Sequence, residues 1–530
     1  MRRRMLVRID APTDAVRDAA REALGVAPGA DGVLTGPLFD HDSPGSTLQV
    51  HIEGDPSQST VRLDGGSSIS VPYFGWFIRL VVWLVARRVL DDAATRLRAA
   101  VAGDPVPPPR HHRTLIPASF TADQAARLAV LTAVAAVASF GSALFTQNGD
   151  AVTRSFNRGD EALGDALAFA RIGVLLTLVA ASMADRFGRR RMILIGLGGM
   201  CAANALAAAA PSFEVFTASQ VLTRAFANAT FAITAMAVVE DAPEGARAFS
   251  FSMFGMGLGL GFGATVFLLP INDLSDDTWR VAFALSALTA LLLPGIVRRL
   301  RETIRYERLE TMTRSRSRSR ASARARLLEP FDRRYGGRFI VLGLVGFLVN
   351  LFSAPSSQLT NRYLTHTHDF SNSQIALLRG VTAGVPGVIG VVVAGRLAES
   401  RGRRLVIIGG LLVATLFQVT FFLGSGALLW IMPTVSIVAA ACAGISLGTT
   451  NNELFPTEAR GTSNGFLLVC GVAGAALGLL LAPRLKDVAG GLGPAIAMLG
   501  VAPLVAAFFL VPRLPETRAR RLDEISPSEV

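Results

Sequence analysis

Four charged side chains stand inside long apolar runs: Arg171, Arg224, Arg379 and Asp165. An ionisable group in such a run is costly to bury and is as a rule functional. Arg224, in Leu222-Thr-Arg224-Ala-Phe-Ala-Asn228, lies deepest. Arg171, Arg379 and Asp165 lie toward the ends of their runs, where snorkelling to the membrane interface explains Arg379 and Asp165 equally well. A guanidinium meets a carboxylate through two parallel hydrogen bonds, so three arginines against one acid favour a small organic anion as cargo. Arginine keeps its proton at any ordinary pH, which leaves Asp165 as the titrating group for proton coupling. Asn228, Asn350 and Gln358, with Gln147, Asn148, Asn451 and Asn464, are neutral polar candidates in the same runs. Single amides of this kind serve as interhelical glue as often as they bind cargo.

The elements that must carry these residues follow from composition. The chain has 530 residues, 51% hydrophobic and 17% charged, with a mean hydropathy of +0.44. Soluble domains carry about a quarter charged residues, and apolar runs of about 20 residues match the thickness of a bilayer. The reading is an all-α membrane protein with twelve transmembrane helices. Spans are expected near 125–146, 163–183, 192–210, 213–238, 248–269 and 279–297, then near 338–358, 374–397, 404–423, 427–450, 462–483 and 491–511.

The net charge of +12 is concentrated: residues 298–338 hold fourteen arginines and five acids. No aromatic residue is interleaved in Arg314-Ser-Arg-Ser-Arg-Ser-Arg320 to stack on bases. The stretch therefore reads as a cytoplasmic loop meeting anionic headgroups, with no nucleic-acid partner. Arginine-rich loops fall on one side and Asp273, Asp276, Asp277, His366, His368 and Asp369 on the other, which puts both termini in the cytoplasm.

Residues 1–118 differ from the rest. Strands are expected at Val7–Asp10, Leu48–Ile52 and Thr60–Leu63, with a helix at Ala15–Leu24. Tyr73–Leu90 is apolar but carries Arg79, Arg87 and Arg88, so an interfacial helix or the long helix of a small α+β domain is expected there. No apolar segment follows Arg2–Arg4 to form a signal peptide. The division is then a cytoplasmic or membrane-surface domain at 1–118, a first six-helix half at 119–297, a basic linker at 298–337, a second half at 338–511 and a cytoplasmic tail at 512–530. Cys201, Cys442 and Cys470 lie in apolar segments without metal spacing. No nucleophile–base pair, metal cluster or cofactor motif appears, so neither enzyme activity nor a metal or cofactor is expected.

Three landmarks repeat at an offset of 213–214 residues. Asp185-Arg-Phe-Gly188-Arg189-Arg190 returns as Glu399-Ser-Arg-Gly402-Arg403-Arg404. Glu240-x-x-Pro243-x-x-x-Arg247 returns as Glu453-x-x-Pro456-x-x-x-Arg460, and Glu302-Thr303 returns as Glu516-Thr517. Three matches at one offset mark a duplicated six-helix unit.

On these motifs, residues from about 120 to 525 resemble the major facilitator superfamily. Asp185, Arg186, Gly188, Arg189 and Arg190 match its loop signature after the second span, with Ala181 where glycine is usual. Gly395, Glu399, Gly402, Arg403 and Arg404 form the echo, and Glu453 through Arg460 and the Pro515-Glu516-Thr517 tail are similar to the sugar-porter and metabolite–proton symporter branches. The resemblance implies a monomeric secondary transporter of the cell membrane, moving a small polar metabolite by alternating access with proton coupling. It implies gating by Asp185 with Arg189, by Glu240 with Arg247 or the other half's basic loop, and by their echoes Glu453 and Arg460. The first span lacks the carboxylate of proton-coupled sugar porters, and the seventh lacks their paired glutamines, which weighs against sugar. Two further readings stay open: efflux of amphipathic compounds, and a transporter-like sensor or scaffold built on residues 1–118.

Overall fold

The computed structural model describes residues 2–29, 33–37, 46–55, 58–67, 72–107, 121–242, 247–302, 336–384, 401–455 and 460–516, with isolated positions between 385 and 400. By compactness the chain divides into two units. One comprises Met1–Ala135, Thr234–Gly257 and Pro294–Arg305, and the other Ala136–Ile233, Leu258–Leu293 and Tyr306–Val530.

The first unit begins with β1 (Arg2–Ile9), α1 (Thr13–Leu24), β2 (Ala27–Pro28), β3 (Leu34–Pro37), β4 (Ser46–Asp55), β5 (Gln58–Ser67) and α2 (Gly75–Ala102). The strands form one antiparallel sheet in the order β1-β5-β4-β3-β2, with Val7 opposite Val61 and Val50 opposite Leu63. Alternation puts Val7, Ile9, Leu48, Val50, Val61 and Leu63 on one face, where they are buried. Val16, Ala20 and Ala23 of α1, at helical spacing, and Val89, Leu90, Ala93, Ala94 and Leu97 of α2 cover that face. The other face carries Asp64, buried to 2% exposure under Arg62 at 3.2 Å, Arg4 at 3.5 Å and His51 at 3.7 Å. The strands expected from alternation are present and longer than read. β2 and β3 went unread because they are two and four residues long and contain Pro28, Gly36 and Pro37.

Helices continue through the rest of the chain: α3 (Ala122–Ser155), α4 (Asp160–Phe187), α5 (Arg189–Ala208), α6 (Phe213–Asp241), α7 (Arg247–Leu268), α8 (Trp279–Leu288) and α9 (Leu293–Arg299). The second set comprises α10 (Gly336–Gln358), α11 (Thr360–His368), α12 (Asn372–Arg379), α13 (Arg403–Leu423), α14 (Leu428–Glu453), α15 (Arg460–Arg484), α16 (Lys486–Ala489), α17 (Leu492–Leu499) and α18 (Val501–Val505). Among the described residues ten helical segments are long and apolar enough to cross a membrane. The expected second span falls in α4, where many side chains lie outside the described residues, and parts of the expected eighth, at 385, 388, 391, 392 and 394–396, lie outside them altogether. Phe267 and Leu291 stand 81% and 77% exposed, an arrangement costly in water and natural against hydrocarbon.

The second unit is held by aromatic packing. Phe145, Phe216, Trp279 and Phe283, from α3, α6 and α8, meet edge to face with centroids 5.2–5.7 Å apart. Tyr363, Phe421 and Phe422 do the same between α11 and α13, at 5.0–5.7 Å. Rings packed in this way add about 0.5–1.5 kcal/mol per pair beyond burial. In the first unit Arg127 pairs with Asp123 at 2.9 Å and reaches Asp241 at 3.9 Å, tying the start of α3 to the end of α6.

Candidate functional site

Two sharp turns set one end of the helices. Gly188 (φ 94°) opens α5 and Gly402 (φ 96°) opens α13, both in a region that a side chain strains to adopt. Glu516 of the tail motif accepts from the backbone N–H groups of Arg403 at 3.0 Å and Arg404 at 3.1 Å, capping α13 with a negative charge at its positive end. Arg189 is buried and Arg190 half-buried at the start of α5, and Glu240 is half-buried near the end of α6. The side chains of Asp185, Arg186, Arg247, Glu453 and Arg460, and residue Glu399, lie outside the described residues.

The charged residues within the spans lie deeper. Arg224, on α6, donates from Nη2 to Thr146 Oγ1 of α3 at 2.8 Å. Gly173 of α4 packs directly on this point: a Cβ there would collide with the Val221 backbone oxygen and approach the Arg224 side chain at 3.1 Å. Arg171, two residues before Gly173, lies within electrostatic reach of Arg224, and its buried Nε has no hydrogen-bond partner among the described residues. Arg379, at the end of α12, donates from Nε to Asn361 Oδ1 at 2.6 Å and from Nη2 to the Ser357 carbonyl at 3.2 Å. Asn361 donates in turn to the Gln147 carbonyl at 2.7 Å and to its Oε1 at 3.2 Å. Arg224 thus bonds Thr146 of α3 directly, and Arg379 is linked to the next residue, Gln147, through Asn361. No carboxylate pairs with either, or with Arg171, among the described residues. Arg379 also lines a cavity of about 400 Å³ with Ser353, Ser356, Thr360, Thr382 and Thr415, a volume suited to a small metabolite.

The amide candidates divide. Asn228 donates to the Arg224 carbonyl one turn back at 2.8 Å, and Asn350 to the Gly346 carbonyl at 2.8 Å with its amide against Gly471. Both are occupied within their helices. Gln358 is 6% exposed, and its Oε1 has no partner among the described residues. Asn148 accepts from Asn272 at 2.7 Å.

At the end of the helices away from Gly188 and Gly402, here the far end, side chains of the two halves are joined by ion pairs. Arg362 of α11 donates to Asp150 at 2.8 Å, Asp160 at 2.6 Å and Thr153 at 3.1 Å. Lys486 reaches Asp160 at 2.5 Å, and His366 reaches Asp150 at 3.0 Å. Asp165 pairs with Arg484 at 2.8 Å, and Asp273 accepts four bonds from Asn372 and Ser373 at 2.7–3.0 Å. Asp165 therefore belongs to this far-end set and makes no contact with Arg379. It is not the only acid in an apolar register: Asp150, 4% exposed, lies within α3. Gln147-Asn-Gly-Asp150 reads as a polar break, but the helix runs on to Ser155 because Arg362, distant in sequence, neutralises the buried carboxylate. Next to Arg362 in α11, burial pushes the Tyr363 hydroxyl up to about 12 while it donates to the Phe422 carbonyl at 3.0 Å. Burial lowers His368, bonded to that hydroxyl at 2.8 Å, below its ordinary value, with Asp369 opposing in part.

The order and packing of these helices match known proteins in fold. Similar solved structures include a bacterial homologue of the human lysosomal transporter Spinster, inward-facing and occupied, at TM-score 0.61 and 18% identity over 75% of this chain and 98% of that one. The inward-open xylose transporter XylE from E. coli gives the same values. The nucleoside transporter NupG aligns at TM-score 0.61 and 12% identity over 73% of this chain and 98% of its own. No curated protein matches the sequence. The family model described as Major Facilitator Superfamily matches residues 128–479 and 342–527, and the chain belongs to that superfamily of multi-pass membrane transporters.

Proposed function

We propose that the chain carries a small organic anion across the membrane by alternating access, with Arg224 and Arg379 contributing one guanidinium from each half and Arg171 adding positive potential. What supports this reading is that Arg224 bonds Thr146 directly and Arg379 is linked through Asn361 to the neighbouring Gln147, neither with a carboxylate partner among the described residues. A half-buried guanidinium without a carboxylate partner is stabilised where another negative charge offsets its own, and a bound anion does so. Asn228, Asn350 and Gln358 shape the surroundings, with Gln358 keeping an open acceptor for a cargo hydroxyl or amine.

In this reading the far end faces outward and is closed, and the end set by Gly188 and Gly402 is cytoplasmic with both termini. Asp185, Arg186, Arg189, Arg190, Glu240, Arg247, Glu399, Arg403, Arg404, Glu453, Arg460 and Glu516 gate that cytoplasmic end. The protein works as a monomer in the cell membrane, with the five-part division at residues 118, 297, 337 and 511, and the linker at 298–337 rests on anionic headgroups. Proton coupling proceeds through the far-end carboxylates: a proton on Asp165 releases Arg484 and loosens the closed far end.

Uptake into proteoliposomes tests the proposal, using a panel of carboxylates, phosphate esters, sugars and nucleosides with and without an inward proton gradient. Gradient-driven accumulation of an acid is expected, falling at least about tenfold in Arg224→Ala and in Arg379→Ala, the scale of losing one charge-assisted contact. Accumulation of sugars undiminished in both variants overturns the anion reading. Asp165→Asn with an unchanged pH profile overturns that residue's role in coupling.

A further inference from the structure

We propose that Asn361 is the positioning residue that ties the orientation of Arg379 to the closed far end. The inference rests on the anion reading only for what occupies Arg379. Neighbouring residues of the short helix α11 do two different jobs. Arg362 closes the far end on Asp150 and Asp160, while Asn361, 3% exposed, holds Arg379 through its oxygen and Gln147 through its amide. Gln147 and Asp150 stand about one turn apart on α3. Helix α11 therefore grips α3 at two points, and one of them reaches the cargo arginine.

The hydrogen-bond inventory makes the two grips interdependent. A primary amide has two N–H donors and one carbonyl acceptor. Both bonds from the Asn361 amide nitrogen go to Gln147, at 2.7 and 3.2 Å, which turns Oδ1 toward Arg379 Nε at 2.6 Å. That bond, with Nη2 on the Ser357 carbonyl, fixes the guanidinium plane at the cavity wall. When the far end opens, Arg362 leaves Asp150, α11 withdraws from α3, and Asn361 loses Gln147. Its oxygen is then no longer held, and Arg379 loses its orientation. An anion that needs Arg379 so oriented binds more tightly with the far end closed, and by reciprocity its binding favours closure.

The test reads the far end directly and needs no cargo. Spin labels at Gly159→Cys and Val488→Cys, exposed positions on opposite halves outside the ion pairs, report the open-to-closed ratio in proteoliposomes. Arg362→Ala and Arg379→Ala are measured singly and together, first with Asn361 present and then in Asn361→Ala. The expected result is a departure from additivity of about tenfold in that ratio with Asn361 present, and additivity without it. Asn361→Asp, which keeps the acceptor for Arg379 and loses the donors to Gln147, is expected to be additive as well, and it repeats the test should the alanine variant fail to reconstitute. Additivity with Asn361 intact, or coupling that survives both Asn361 variants, overturns the proposal. Anion uptake is scored separately, so absence of anion transport with intact coupling refutes the cargo reading and leaves this one standing.

Discussion

Arg362 serves two carboxylates through different edges of one planar group, Nε to Asp160 and Nη1 to Asp150. A lysine cannot reproduce that fork, since its single ammonium has no fixed separation between donors. Arg362→Lys is therefore expected to keep one of the two bonds and raise the far-end open population several-fold. Arg362→Ala is expected to raise it further, because Asp150 then keeps His366 and Arg154 but loses its 2.8 Å partner; equal label-pair distances in the two variants and the parent would refute both expectations. His368 gives a pH dependence of definite sign. Its neutral ring is packed against Tyr363 and Phe370, and burial holds it below the ordinary histidine value. The unfolded chain thus takes up the proton first as pH falls, so stability is full above about pH 6.5 and declines as pH drops toward the folded value. Thermal unfolding followed from about pH 7 to about pH 5 is expected to show a falling midpoint, with part of that slope absent in His368→Gln.

Among the elements, the start of α13 shows how a repeat motif is built. Gly402 at φ 96° lets the chain turn, and Glu516 fills the space a side chain would take, 3.0 Å from where its Cβ would stand. Glu516→Gln retains an acceptor and loses the charge at the helix N-terminus, so a loss of about 1 kcal/mol is expected, read from thermal stability. Gly402→Ala is expected to cost more, since it adds strain at positive φ to a clash with that carboxylate; equal midpoints for both variants and the parent would contradict this. The paired turns at Gly188 and Gly402 were legible in the sequence because they recur at a fixed offset and glycine has one physical reason to be there. Arg224 was legible as a deep charge for a similar reason: nothing local explains it. Asp150 and the role of Arg362 were not. A carboxylate in Gln-Asn-Gly-Asp looks like a loop residue until a partner 212 positions away is known. Asn361, too, carries no local signal, since its importance comes wholly from the three groups it joins.

At the scale of the whole molecule, the N-terminal domain has what an independently folding unit requires. Its core draws on β1, β3, β4 and β5, on Val26 just before β2, on α1 and on the latter part of α2, and Val16, Ala20, Val61, Leu63 and Leu97 in it are fully buried. Buried apolar surface is worth about 25 cal/mol per Å², and for a sheet closed on one face by two helices this suffices at about 100 residues. Among the described residues, Arg299, at the end of α9, lies 5.3 Å from the ring centroid of Tyr73, which is held at φ 65° just before α2. A left-handed tyrosine costs about 1–2 kcal/mol, comparable with what an exposed cation–π contact returns, so this one contact adds little by itself. Residues 1–107 produced alone are therefore expected to give mixed α/β circular dichroism and a single cooperative unfolding transition. The chain lacking residues 1–105 is expected to retain anion flux within about twofold, because Arg224, Arg379 and Asn361 and all their partners lie after residue 140. Loss of flux in a deletion variant that still reconstitutes would instead make the domain part of the transport cycle, and the sensor reading would gain its first functional support.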